Sequence, residues 1–204
     1  MTPLDPRAES QSQPEQPPLT GERELALYRS GLESVQEEVR RLFSPLSDEE
    51  LNRRPEPDRW SAGECVDHLV VIGNLLVPLM QKAILAGRGN RWLAEGPFRY
   101  SWPGRMFVES LQPGARLKIK TQHEYRPARM HAREELLRRF DAVQEGLIRS
   151  VNDSAGLDLV RIKVPSPARR FIRLSLGIWF ASTVAHERRH SAQAARALAG
   201  KEGE

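Results

Sequence analysis

The stretch that decides the fold is FIRLSLGIWFASTVAHERRHSAQAARALAG, residues 171–200. Phe171, Ile172, Leu174, Leu176, Ile178, Trp179, Phe180 and Val184 crowd its first half, and Gly200 stands where a helix would stop. The pattern predicts a helix over about 168–199, apolar enough to be largely buried in any bundle this chain makes. Towards its end comes His186-Glu187-Arg188-Arg189-His190. Residues four apart sit about 40° apart around a helix, so both imidazoles leave one face and can share a cation. Gln193 lies on that face and Glu187 off to one side. Imidazole is the commonest protein ligand for zinc and also suits nickel, iron and copper. Two solvent-facing histidines at a convenient spacing would be the plain alternative. Burying them unpartnered would cost several kcal/mol, because each ring has a donor and an acceptor to satisfy.

The same five residues are the metalloprotease helix pattern, with the glutamate as general base. That chemistry normally takes a third ligand further along the chain. Only fourteen residues follow His190, with no His, Asp or Cys among them, and Glu202 and Glu204 lie at the extreme terminus. The protease reading is therefore set aside, and a third ligand has to come from His68, His123 or His131.

Working outward, three more long helices are expected. Thr20 offers a cap to a helix over about 22–43, carrying Leu25, Leu32, Val35, Val39 and Leu42 at helical spacing. Ser47 opens a short turn of helix that Pro55 and Pro57 stop. Ser61 with Glu64 forms a capping box for a helix running to Gly87, with Pro78 expected to kink it. Residues 88–127 read as a long connection with strand-like pieces at Leu117–Thr121. A third long helix is expected over about 128–150. Four long helices with one long connection predict an all-α four-helix bundle over residues 21–200. Residues 1–20, rich in Pro, Gln, Ser and Glu, read as a disordered tail.

Composition narrows the function classes. Of 204 residues, 31 are Lys or Arg and 27 are Asp or Glu. Residues 1–100 hold 12 basic against 16 acidic residues, and the rest 19 against 11. The basic residues of the second half are scattered at helical spacing, which favours solvated faces over a nucleic-acid tract. Trp60, Trp92, Trp102 and Trp179 are too dispersed for a stacking platform. One cysteine, Cys65, admits no internal disulfide and fits a reducing compartment. The apolar stretches Leu69–Met80 and Leu174–Ala185 run about 12 residues where a span needs about 20, and the first twenty residues lack a signal-type apolar core. A cytoplasmic protein that binds neither membrane nor nucleic acid is expected. Apolar residues in the 88–108 connection leave a homodimer open.

Trp60-Ser61-x-x-Glu64-x-x-x-His68-Leu69, paired with His186-Glu187-x-x-His190-x-x-Gln193, resembles the DinB-like superfamily of metal-binding four-helix bundles. The likeness runs over about residues 22–199 and includes Glu124-Tyr125-Arg126-Pro127 ahead of the third long helix. It implies that His68, His186 and His190 hold one divalent metal, zinc or nickel first and iron or manganese as alternatives, with a coordination position open. Members of that superfamily include enzymes using mycothiol or bacillithiol and others resembling metal-dependent hydrolases. The expected chemistry is activation of water or a low-molecular-weight thiol for hydrolysis or S-transfer on a small molecule. A non-catalytic metal- or ligand-binding bundle acting in stress is the alternative. Glu187, Glu64 and Gln193 are the candidates for a catalytic part. Arg126, Arg129 and Arg133 are candidates for contacting an anion, with a solvated basic face as the simpler account.

Overall fold

In the computed structural model, which describes residues 20–115, 123–169 and 171–200, the chain folds around four long helices. They are α1 (Gly21–Phe43), α3 (Ala62–Gly89), α5 (Arg133–Asn152) and α6 (Leu176–Ala199), with α2 (Asp48–Asn52) and α4 (Trp102–Leu111) between them. The expected tail and the strand-like pieces at Leu117–Thr121 fall outside the described residues, apart from Thr20.

The first three helices start on side-chain caps. The Thr20 side chain accepts from the Arg23 N–H and caps α1. Ser47 with Glu50, and Ser61 with Glu64, form reciprocal capping boxes at α2 and α3. α6 ends at Gly200 with φ 64°, the left-handed conformation that glycine adopts at no steric cost. α1 packs on α5 and α6, and α3 packs on the same two, so α1 and α3 stand diagonally, as do α5 and α6. Leu32, Val39, Phe43, Val66, Met80, Phe140, Leu147 and Phe180 meet in the shared core. α3 and α5 approach closely at Gly73, where an added Cβ would lie 2.2 Å from Val143 Cγ1.

Three boundaries differ from the expectation. The connection after α3 contains α4, whose Pro103 falls in the helix's first turn, where a missing N–H costs nothing. α5 begins at Arg133 rather than near 128, because the preceding segment is pinned outside the helix: the His131 N–H donates to Asn52 Oδ1 and the Ala128 N–H to Asp67 Oδ2. α6 begins at Leu176 rather than near 168. Ahead of it, β1 (Lys163–Pro165) pairs antiparallel with β2 (Arg173–Ser175). Phe171 and Ile172 therefore sit on the surface, 80% and 41% exposed.

α3 continues through Pro78 without a break. The stretch Leu69–Met80 understates its apolar character: among the described residues α3 alone is long and apolar enough to cross a membrane by length and composition. Cys65, Val66, Leu69, Leu76, Met80 and Ile84 on this helix belong to the bundle core.

Candidate metal centre

One end of the core carries the histidines. The Ser61–Glu64 capping box fixes where α3 begins and so places His68 in its second turn, buried at 4% exposure. His186 and His190 come from α6 and are half-buried. One ring nitrogen from each of the three lies within 4.8 Å of the others. The ring centroids are 4.5 Å apart for His186 and His190, 4.6 Å for His68 and His190, and 5.2 Å for His68 and His186. Trp60, immediately before the α3 cap, closes one side, with its ring 5.0 Å from His68 and stacked on His190 at 5.9 Å.

His68 Nδ1 lies 2.7 Å from the Tyr125 carbonyl oxygen. A carbonyl only accepts, so Nδ1 carries the proton and Nε2 is left as the lone-pair donor. A second contact holds that carbonyl in place. Asp67, 2% exposed, accepts from the Ala128 N–H at 2.9 Å and faces Arg139 Nη1 at 3.0 Å, tying the 125–128 segment to α3. Tyr125 and Asp67 were not among the residues the sequence singled out. Asp67 stands next to His68, and Tyr125 is part of the quoted Glu124-Tyr125-Arg126-Pro127, but the contact itself runs through a backbone carbonyl that no residue type announces.

Burial lowers the proton affinity of all three histidines. It takes His186 down to about 3, helped by the charges of His68 and Arg189. His190 falls well below its ordinary value by burial and then by the charges of His186, His68 and Arg189, with Gln193 working the other way. Burial lowers His68 too, against the Tyr125 hydrogen bond and the Asp67 charge. The three rings are therefore neutral at physiological pH, the form in which imidazole ligates a metal. His190 Nδ1 is buried without a hydrogen-bond partner. An orphaned buried nitrogen in a cluster of three neutral imidazoles fits a cation.

The two glutamates of the motifs are used differently. Both Glu64 oxygens go to the protein: Oε2 accepts from Arg54 Nε at 2.7 Å and from the Ser61 N–H at 2.9 Å, and Oε1 accepts from Arg54 Nη2. Cap and carboxylate chemistry thus coincide, with Arg54 and not a histidine as the charged partner. From the sequence, Glu187 is expected off to one side of the ligand face. It is 2% exposed, because it points into the bundle interior. Gln144 Nε2 reaches across the diagonal of the bundle to donate to Glu187 Oε1 at 2.9 Å, while Oε2 has no partner. Burial pushes the Glu187 carboxyl up to about 8, with the Gln144 bond opposing.

The remaining candidates lie apart. His123 is exposed and His131 is held at the α2 side, with Nε2 2.9 Å from the Ala128 carbonyl oxygen, and neither joins the three. Arg126 and Arg129 are exposed, while Arg133 donates to the Ser44 and Leu46 carbonyls. Cys65 is fully buried, and burial pushes its thiol up, which makes it a small core residue. Gln193 lines the cavity onto which His68, His186, Glu187 and His190 open, about 1070 Å³ in volume.

The sequence model described as the DinB superfamily matches residues 32–194. No curated protein and no solved structure matches the chain. The family match spans both motif helices and the helices that pair with them, and the fold built from them is the helical bundle the motifs imply: the chain belongs to the DinB superfamily.

Proposed function

We propose that this chain is a metal-dependent enzyme acting on a small molecule by hydrolysis or S-transfer, with His68, His186 and His190 holding one divalent ion. The observation that carries the reading is the set of three neutral imidazoles turned on one another, with His190 Nδ1 buried and unpaired. A divalent ion held by neutral nitrogens keeps its full charge, and so supplies acidified water or a deprotonated thiol at neutral pH. Zinc or nickel suits the donor set best, and iron or manganese are further fits.

The chain's own parts follow from the contacts above. The Tyr125 carbonyl fixes the His68 tautomer, and Asp67 fixes the segment that carries the carbonyl. Trp60 restricts the ring of His190 and keeps bulk water from that side. Glu187 holds a proton on Oε2 near neutrality, beside the histidines and on the cavity wall. Gln193 is placed to hydrogen-bond a ligand or His190. Glu64, turned away to Arg54, has a holding part only. Three protein ligands leave room for a reactant, which favours catalysis over a closed structural ion. A cytoplasmic setting and a small-molecule partner complete the proposal.

Elemental analysis of untagged protein, stripped with chelator and reloaded, tests it. About one equivalent of zinc, nickel, iron or manganese per chain is expected, lost in both His68→Ala and His186→Ala. Full metal content in either variant, or none in the reloaded wild type, would overturn the site.

A further inference from the structure

The cavity in front of the histidines has a composition that says what enters it. Leu69, Ile72 and Leu76 of α3, Phe107 and Leu111 of α4, and Trp179 of α6 make an apolar wall. Phe107 packs edge-on against Trp179, with centroids 6.2 Å apart. Four arginines, Arg59, Arg169, Arg189 and Arg196, line the same cavity, against two acidic residues, Asp58 and Glu187. Arg189 donates to the Ser110 carbonyl at 3.1 Å, which bridges α6 to the end of α4, and its charge reaches both His186 and His190. Arg59 faces Glu56 at 3.8 Å. Among the described residues no carboxylate lies within ion-pair distance of Arg169 or Arg196. The excess of positive charge is thus local to the cavity, and a cation on three uncharged ligands would only add to it.

We infer that the ligand of this cavity is a small organic anion with an apolar body, its anionic group drawn to the arginines of the lining, Arg169 and Arg196 foremost, and its body laid on the Leu69–Ile72–Trp179 wall. This names the substrate class of the site proposed above and rests on that reading for its catalytic meaning, though not for binding. Both halves of the cavity are needed for the argument. An apolar pocket alone would take any neutral hydrophobe, and exposed arginines alone would be a solvated face. Together they favour a carboxylate or a comparable anion over an uncharged molecule of the same shape. The expected discrimination is about tenfold or more at low salt, falling as salt screens the exposed guanidinium groups.

Titration calorimetry on the full chain, stripped of metal, provides the test, with octanoate, butyrate and octanamide as probes. Octanoate should bind at least about tenfold more tightly than octanamide. It should also bind more tightly than butyrate, by up to about fourfold per methylene. Arg169→Gln combined with Arg196→Gln should erase the preference over octanamide while octanamide itself binds as before. Ile72→Gln should flatten the dependence on chain length. Equal binding of octanoate and octanamide, no binding of octanoate at millimolar concentration, or an undiminished preference in the double variant would overturn the inference. Because metal is absent throughout, a protein that takes no metal but prefers octanoate breaks the catalytic proposal and leaves this one standing.

Discussion

Glu64 and Glu187 stand on the two helices that supply the histidines, are buried alike at 1% and 2% exposure, and carry opposite electrostatics. Burial alone would raise both carboxyls. At Glu64 the Arg54 guanidinium and the Ser61 N–H outweigh it, so the net shift is downward and the group is a carboxylate. At Glu187 only the Gln144 amide opposes burial, and the carboxyl rises to about 8. What separates them is not depth but partners. The start of α3 is a closed network with every oxygen of its acid spoken for. The middle of α6, with Gln144 of α5 facing it, leaves Glu187 Oε2, Gln144 Oε1, His190 Nδ1 and Ser191 Oγ without hydrogen-bond partners. One buried acid is thus fully paired within the chain and the other only sparsely, which is the contrast on which the proposed metal site rests.

The largest expected effect tests that contrast through pH. In metal-free protein the histidines bind protons near 6.5 when unfolded and at lower pH when folded, His186 near 3. Their neutral burial therefore favours folding above about pH 6.5 and costs stability progressively below it. Glu187 has the opposite sign: the unfolded chain releases its proton near 4.5 and the folded one near 8, so stability falls as pH rises between those values. Up to about pH 7 the three histidines outweigh the one glutamate, and above it the glutamate prevails. Urea stability of the chelated protein should peak near pH 7, drop by about 0.5 kcal/mol by pH 8, and fall by considerably more on the acid side. Glu187→Gln should remove the alkaline decline and leave the acid side. A variant that declines like the wild type would mean Glu187 is charged in the fold, and the contrast with Glu64 would vanish.

How much of this was legible beforehand differs in the same way between regions. The bundle was readable because Leu25, Leu32, Val35 and Val39, and their counterparts on the other helices, repeat at the helical period that burial demands. The α4 helix was hidden because Pro103 and Gly104 read as breakers, although a proline in the first turn is a good start. Phe171 and Ile172 read as helix because an apolar run has the same composition in a helix and beside a strand pair. Only the pairing of Val164 with Leu174 separates the two. His186 and His190 were legible from their spacing. His68 needed the resemblance, since one histidine on a buried helix has no partner in the sequence. The Gln144–Glu187 contact was beyond reach, because it depends on how α5 and α6 are rotated about their own axes across the diagonal.

A smaller effect sharpens the comparison from the closed side. Arg54→Met deletes the guanidinium and keeps most of the aliphatic bulk, leaving Glu64 with Ser61 alone. Loss of a charged hydrogen-bond partner from a buried group costs about 1–3 kcal/mol. The cost should be present at pH 7 and shrink below about pH 4, where the stranded carboxyl takes up a proton and no longer needs the arginine. A chevron or urea series at the two pH values reads it. An equal loss at both would make Arg54 a packing residue, and the fully paired acid of α3 would lose its main support.

The smallest effect separates the two helices by how they begin. The Ser61 hydroxyl accepts from the Glu64 N–H at 3.1 Å, so α3 is capped by its own side chain. Ser175 occupies the same position on α6 and makes no such bond. There the first two amides, of Leu176 and Gly177, donate instead to the Ile162 and Leu159 carbonyls of the preceding loop. Ser61→Ala should therefore cost about 1 kcal/mol, while Ser175→Ala should stay within about 0.5 kcal/mol of the wild type. The consequence for the site is asymmetric as well. His68 lies two turns from the weakened cap, whereas His186 and His190 sit far along α6 from Ser175. Metal affinity should fall in Ser61→Ala and hold in Ser175→Ala. If both variants lose stability equally, the Ser175 hydroxyl supports the start of α6 as Ser61 supports that of α3, and the contrast between the two helix starts disappears.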